Sequence, residues 1–589
     1  MSAALPHAVE CDVLVIGSGA GGLAAAVTAA SAGARVILIE KAAQFGGTTA
    51  WSGGWMWIPG NPQAAAAGVA EKPGDVRTYL RSILGKNYSE SKIEAYLAAG
   101  PQMLAWMEAH TALRFQPGSR NADFYGNNPG AATGWRSVTA APFNGARLGR
   151  NLSRLRQPLP EMTLWGMEIA PGPDLTNFLT CTTSFPAMLH VLKRLGQYGG
   201  DLLRHGQAMH FMNGHALAAA LLLSAQEKGV TLWHSSAAHH LLHSSTGITG
   251  AVIERPNGQH KILARRGVIL ATGGFPHNPM RQAALLPHVT RNGTPHHSAA
   301  PSENTGDGLK LGEASGGYID SSLVDNAAWA PVSLVPQRDC SVCHFPHLME
   351  RGKPGLIAVT ASGRRFANES GPYHGFMRAL FAAVPAGETA EAWLIVDSRF
   401  LRRYGLGAVK PWPFPHRYWL ASGYLRQGRT MRDLAHACGI DPDGLTQEVE
   451  SYNRHAVKGE DPVFGRGSTP YERGQGDARQ HPNPCVAPLN KGPFFAVRIV
   501  PGSLGTFAGL ATDASARVLD NSGTPIRSLF AVGNDASSIM GGHYPSGGIT
   551  LGPALTFGWL AGRLCATTPQ TDTPTETTKT DHDVSLAIT

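Results

Sequence analysis

Residues 13–40, VLVIGSGAGGLAAAVTAASAGARVILIE, constrain this chain more than any other stretch. The apolar run 13–16 reads as a buried parallel strand, and it breaks into Gly17, Gly19 and Gly22 at G-x-G-x-x-G spacing. Gly17 permits a tight turn, Gly19 leaves room for a pyrophosphate against the backbone, and Gly22 lets an Ala-rich helix pack closely on the sheet. Ala20 and Gly21 fall at that helix's N-terminus, whose unpaired N–H groups face the phosphates. A second strand, 35–39, ends in Glu40, about 20 residues beyond the glycines, where a carboxylate accepts from ribose hydroxyls. Glycine spacing alone is a weak signal, and an ordinary βαβ turn is its bland explanation. Strand, glycines, helix, strand and acid in that order predict a dinucleotide-binding unit.

At 589 residues the chain is longer than one core supports, so two domains are expected. A composition 43% hydrophobic and 16% charged belongs to a globular protein. The net charge is +8, but the basic residues are scattered and form no run that would track a phosphate backbone, which argues against nucleic-acid binding. Seven cysteines, an odd number spread from Cys11 to Cys565, make no disulfide framework and fit a reducing compartment. The start MSAALPHAVECD has neither a basic region nor an apolar core, and no apolar run reaches membrane-spanning length. A cytoplasmic protein is the expectation.

After Glu40 and Lys41 comes a segment rich in Gly and small hydroxyl residues. Its Gly47, Thr48, Thr49, Ser52, Gly53 and Gly54 offer N–H and O–H groups to a phosphate and sugar chain, and the alternative is a surface loop. Helices are expected at 75–84 and 91–109, then a loop, 115–138, that holds Tyr125 beside Phe124. Segment 155–211 reads as helices over the sheet; Lys193, Arg194, Arg204 and His205 lie there among leucines. Peripheral contact with a membrane surface stays open, beside the favoured reading of a solvated helix face. From 214 the α/β pattern returns, ending in RGVILATGGF at 266–275, a strand whose Ala271, Thr272 and Gly273 approach a bound cofactor. No second G-x-G-x-x-G follows a strand, so one dinucleotide site is predicted.

Turn and helix 304–317 carry Asn304 and Asp307. Segment 331–502, rich in Pro, His, aromatic and Arg residues, interrupts the alternation and reads as an inserted domain. The expected fold is α/β, a Rossmann-like cofactor domain made of 1–330 and 503–566 with an α+β capping domain inserted at 331–502. Strand 528–532 then leads to Gly533, Asn534 and Asp535. The tail 567–589 is too polar to bury the surface that order requires. Cys340-Ser-Val-Cys343-His344 matches haem-attachment spacing, but it occurs once and without an export signal; two free thiols are expected, and no metal, since zinc lacks a second ligand pair.

One site of this kind points to a flavin and redox chemistry, with the facing side chains deciding the substrate. Tyr125, Tyr373 in GRRFANESGPYHGF and Tyr544 in GGHYPSGGITLG all stand in loops near glycines. Behind Tyr544 come Gly548 and a helix start with Thr550 and Leu551. A phenol O–H and a glycine N–H converging on one point suit an enolate oxygen, and the helix N-terminus favours negative charge on a reduced flavin.

At VIGSGAGGLAAA, FGGTTAWSGG, VILATGGF, NTGDGLKLGEASGG, GRRFANES, PCVAPLNKGPFFAV and GGHYPSGGITLGPALTFG the chain resembles the flavoprotein family of fumarate reductases and 3-ketosteroid dehydrogenases, and within it the 3-ketosteroid Δ1-dehydrogenases. The resemblance covers about 12–565. It implies non-covalent FAD, an active site between two domains, and removal of hydrogen from the carbons α and β to a ring ketone. It also implies roles: Tyr373 resembles the base that takes the α proton and Tyr125 the tyrosine that assists it. Tyr544 and the N–H of Gly548 resemble the pair that polarises the ketone oxygen, with flavin N5 taking hydride from the β carbon. Ser546 departs from the steroid pattern, and 140–215 contains a stretch that does not match it, which leaves a smaller cyclic ketone such as a cyclohexanone as the alternative to a steroid. Dicarboxylate enzymes of the same fold carry an arginine in the C-terminal flavin-facing segment, whereas 541–552 contains His543 and no arginine. A third reading, a non-catalytic flavin- or partner-binding protein, leaves the tyrosines without a purpose. With one dinucleotide motif, electrons are expected to pass to a quinone or another acceptor and not to NAD.

Overall fold

The computed structural model describes residues 8–170 and 172–569. Of the expected tail, Thr567 closes the terminal helix Leu551–Thr567, and 570–589 lie outside the described residues.

The strand Val9–Ile16 sits centrally in the first sheet, paired in parallel with Val36–Ile39 on one side and with Gly258–Leu270 on the other. Beyond these, Thr231–Trp233 extends the sheet one way, and Gly247–Arg255 and Ala237–Ser244 extend it as an antiparallel meander the other way. Pro525–Ala531 returns late in the chain to pair in parallel with the end of Gly258–Leu270. The predicted glycine-rich unit, the later strands and the rejoining C-terminal strand thus belong to one Rossmann-like α/β sheet. Its apolar runs are buried on both faces, as covered parallel strands require.

Helix Ala20–Ser31 packs on this sheet against the terminal helix Leu551–Thr567 and helix Asn213–Glu227. The approach is backbone to backbone: a Cβ on Gly558 would meet Gly21 O at 2.4 Å, and one on Gly562 would meet Ala25 O at 2.4 Å. Small residues on both helices are therefore a packing requirement.

A second sheet is ordered Val342–Pro346, Ala327–Pro336, Phe494–Thr506, Ala392–Asp397, Leu356–Val359, with His297–Ser298 and Leu425–Gly428 also on Phe494–Thr506. Its long strand Phe494–Thr506 delivers the chain back towards the first sheet. A small three-stranded sheet, Trp55–Trp57, Ser137–Ala140 and Phe115–Pro117, holds both ends of the loop that carries Tyr125.

Within 155–211, helix Phe185–His205 turns Phe185, Leu189, Leu192 and Leu203 outward. Arg194 is not part of that face: it is buried and donates to Asp174, Glu168 O and Met212 Sδ. Among the described residues no helix is long and apolar enough to cross a membrane, and no cluster of His, Cys, Asp or Glu is arranged to hold a metal. Cys340 and Cys343 are free thiols, Cys343 against Glu161.

Candidate active site

At the cofactor end, backbone shape dominates. Gly17 has φ +109°, and a Cβ there would meet Ala271 O at 2.2 Å; on Gly22 it would meet Gly17 O at 2.0 Å. Any other residue would push the turn off the strand end. Gly19 differs, because its Cβ would reach only Thr49 Oγ1 at 3.7 Å, leaving that side of the turn open. Helix Ala20–Ser31 begins without a side-chain cap and without an acid in its first turn, so its leading N–H groups are available to an anion; that of Ala20 donates to Thr49 Oγ1 at 2.9 Å.

The surrounding residues hold one another in place. Glu40 accepts from Ser18 N, Ser18 Oγ and Ala42 N, which fixes its carboxylate just past the second strand. Lys41 is tied to Glu303 O, Thr305 and Asp307 at 2.7–3.1 Å, clamping the 303–307 turn over the sheet edge. Gly47 comes near Gly19, and Ser52 donates to Thr49 O while Gly53 and Gly54 carry the chain into Trp55–Trp57. Asn304 donates to Thr48 Oγ1 and lies against Gly273, where a Cβ would strike it at 2.6 Å.

Asp535 accepts from Thr272 N, Thr272 Oγ1 and Gly274 N, and burial raises its carboxyl to about 6. It fastens the end of strand Gly258–Leu270 to the Gly533–Asn534 turn. An open glycine turn, an uncapped helix N-terminus and paired hydroxyls on the facing loop are what a dinucleotide needs, so these residues fit FAD.

The other end of the site is made of side chains. Tyr373 opens helix Tyr373–Ala383 and is 7% exposed; Tyr544 is 3% and Tyr471 4% exposed. Ring centroids lie 5.0 Å apart for Tyr373–Tyr544, 5.6 Å for Phe124–Tyr544, 5.4 Å for Phe124–Tyr373 and 4.5 Å for Phe124–Tyr471. Tyr125, beside Phe124, is half-buried at the edge of this cluster. Burial pushes all four phenols above the usual tyrosine value. The Tyr373 and Tyr544 hydroxyls are hydrogen-bonded, which raises Tyr373 further; this bond and one from Thr550 pull Tyr544 back down.

Segment 544–548 is clamped by residues between Trp57 and Ser137. Tyr79 Oη and Phe124 N both donate to Pro545 O, Ser137 Oγ to Gly547 O, and Trp57 N to Gly548 O. Gly548 has φ +103°, and a Cβ would meet Trp57 N at 2.6 Å, so no other residue fits that approach. Its N–H has no hydrogen-bond acceptor among the described residues. Ser546 is fully buried with an unpartnered hydroxyl.

The turn before Tyr373 rests on buried ions. Arg365 forks onto Glu369 and Asp461, Arg466 contacts Glu369 and Ser370, and Arg351 donates to the carbonyls of Glu369 and Gly371. Paired, hydrogen-bonded charges of this kind survive burial where single ones do not. His374 accepts from Trp329 N and donates to Asp325, which also faces Arg378 at 3.5 Å. Tyr471, Tyr79 and this ion network escaped the sequence reading. Tyr471 and Tyr79 lie in ordinary-looking helices with no spacing that marks them, and GRRFANES, which holds Arg365 and Glu369, gives no sign of the partners Asp461 and Arg466 about 100 residues on.

Residues 12–551 match the family model for the FAD binding domain. The chain belongs to the FAD-binding flavoprotein family. This flavoprotein is 39% identical to the 4-oxocyclohex-2-ene-1-carboxylate 5-dehydrogenase of Sinomonas cyclohexanicum, over 94% of the chain and 93% of the relative. It is 35% identical to the 3-oxosteroid 1-dehydrogenase of Mycobacterium tuberculosis, over 94% and 97%. Among solved structures it resembles the 3-ketosteroid Δ1-dehydrogenase of Sterolibacterium denitrificans in complex with 1,4-androstadiene-3,17-dione, with TM-score 0.86 and 34% identity over 95% of the chain and 99% of that structure. The flavoprotein is an FAD-dependent oxidoreductase.

Proposed function

We propose that this flavoprotein introduces a carbon–carbon double bond α,β to a ring ketone, using non-covalently held FAD. The observation that carries the reading is a buried Tyr544 four residues ahead of the acceptor-free N–H of Gly548 on one clamped segment. Two preset donors around a carbonyl oxygen bind the developing enolate more tightly than the ketone, which is the condition for lowering a barrier.

Tyr373 takes the α proton. Only the phenolate of Tyr373 can accept that proton, and burial, which holds the phenol above its usual value, keeps this form scarce, so proton transfer depends on the ketone being polarised by Tyr544 and Gly548. Tyr125 assists from the cluster's edge, and Phe124 and Tyr471 provide flat apolar walls for the ring. Bound FAD supplies the two-electron acceptor for the hydride that leaves the β carbon. Electrons then pass to a quinone or similar acceptor.

The substrate is a ring ketone of steroid or cyclohexanone type, since relatives named for both kinds cover the chain at nearly full length. A dicarboxylate finds less support: Arg351, Arg365 and Arg466 are committed to carbonyls and carboxylates of the chain itself, and Arg378 faces Asp325. The test is product identification with an artificial dye as acceptor. Incubation with cyclic ketones should yield the conjugated enone, two hydrogens lighter and absorbing in the ultraviolet; recovery of unchanged ketones across the series would refute the reading.

A further inference from the structure

Ser546 stands between the two donors of the proposed reaction, two residues after Tyr544 and two before Gly548. Its side chain is fully buried, yet its hydroxyl has no hydrogen-bond partner among the described residues. The carbonyls that flank it are already taken: Pro545 O accepts from Tyr79 Oη and Phe124 N, and Gly547 O accepts from Ser137 Oγ. These bonds hold the backbone on both sides of Ser546, so the chain is not free to shift and find the hydroxyl an acceptor. Nearly all buried hydroxyls in folded proteins are bonded, and one that is not marks a place where a ligand or a water completes it.

The segment is not sealed at this point. A Cβ added at Gly547 would touch nothing nearer than Asn121 Nδ2 at 3.6 Å and Phe124 Cε1 at 3.7 Å, both ordinary contact distances. Phe124 in turn stacks on Tyr544, with ring centroids 5.6 Å apart, so the room beside Gly547 adjoins the aromatic cluster. Two residues of chain span at most about 7 Å, which keeps Ser546 within reach of an oxygen held between Tyr544 and Gly548.

A ketone oxygen offers two lone pairs, which Tyr544 and the Gly548 N–H fill. An enolate oxygen carries a full negative charge and accepts a third bond. We propose, resting on the reaction given above, that Ser546 Oγ donates a third hydrogen bond to this oxygen as its charge develops. A donor engaged by the enolate and not by the ketone lowers the barrier without tightening ketone binding. Neither glycine nor alanine at this position can supply it.

The test uses the purified holoenzyme and two measurements. Titration with para-nitrophenol, whose ionised form mimics a planar enolate and is read from its own absorbance over the flavin background, reports oxyanion affinity without turnover. Ser546→Ala should weaken phenolate binding about tenfold and slow anaerobic flavin reduction at saturating ring ketone by a similar factor. Its half-saturating ketone concentration should stay within about twofold of the wild type, with flavin content and ligand-free flavin spectrum unchanged. Ser546→Gly should behave alike, and Ser546→Thr, which keeps the hydroxyl, should restore most of the rate; the glycine variant keeps the test open if Ser546→Ala fails to fold. Phenolate binding and reduction rates equal to the wild type in the alanine and glycine variants would overturn the inference. So would a loss shared equally by ketone and phenolate, or an altered ligand-free flavin spectrum with phenolate binding intact, which would place the hydroxyl on the cofactor. The two readings fail separately: a wild type whose flavin no ring ketone reduces refutes the reaction, whereas an active wild type beside unaffected variants refutes only the role of Ser546.

Discussion

At the cofactor end, backbone decides: three glycines, an uncapped helix and a loop of hydroxyls, nearly all within residues 17–54, shape a cradle in which a single added Cβ is an obstruction. At the ketone end, side chains decide. Phe124, Tyr373, Tyr471 and Tyr544 arrive from four separate segments and meet only because two sheets and a clamped loop bring them together. The first kind of site fails completely when one position changes. The second loses rate while its cofactor stays in place.

The largest effects should fall at the glycines, and they should differ from one another. Gly22→Val must displace Gly17 O, so a misfolded first domain without a cooperative melt is expected by circular dichroism. At Gly19 an added Cβ meets only Thr49 Oγ1, at 3.7 Å; Gly19→Val should fold and melt cooperatively yet purify colourless, read from flavin absorbance per protein. A yellow Gly19→Val protein would break the account of the cradle.

At the ketone end, Tyr373→Phe should slow anaerobic flavin reduction by about 10²–10⁴-fold, and Tyr544→Phe by about 10²–10³-fold, each with wild-type flavin content. Loss of flavin in either variant would erase the distinction between the two ends. Beneath Tyr373, Glu369→Gln leaves Arg466 and one arm of Arg365 short of a buried partner and should cost about 3 kcal/mol in urea unfolding.

The smallest effect is one of pH. His288 and His297 are held at about 4, first by burial and then by neighbouring histidines, and His296 is lowered for the same reasons. These rings are neutral when folded and take up protons near 6.5 when unfolded, so stability falls as pH drops from about 6.5 towards 4. Below that the folded state protonates too. His288→Phe, whose ring already stacks on Phe381, should flatten the decline in a thermal-melt series.

The sequence made the cofactor end readable because a G-x-G-x-x-G turn imposes its needs on consecutive residues: Gly17, Gly22 and Glu40 could be assigned reasons one by one. Tyr125, Tyr373 and Tyr544 stood out by their loop contexts near glycines and Gly548 by its place behind Tyr544, and family resemblance supplied their roles. Tyr471 and the partnering of Arg365 and Glu369 with Asp461 were invisible, since nothing local separates a tyrosine that meets Phe124 across the molecule from one on a surface. Within 155–211, Arg194 illustrates the same limit: basic spacing among leucines suggested a solvated face, and a pairing with Asp174, 20 residues away, turned it inward.

The most direct measurement is anaerobic flavin bleaching, followed by absorbance, with androstenedione-type steroids, substituted cyclohexanones and succinate, in the wild type and in Tyr373→Phe. Rapid bleaching by at least one ring ketone, slowed about a hundredfold or more in Tyr373→Phe and absent with succinate, is the predicted result. Bleaching by succinate alone, or ketone bleaching that Tyr373→Phe leaves untouched, would contradict it.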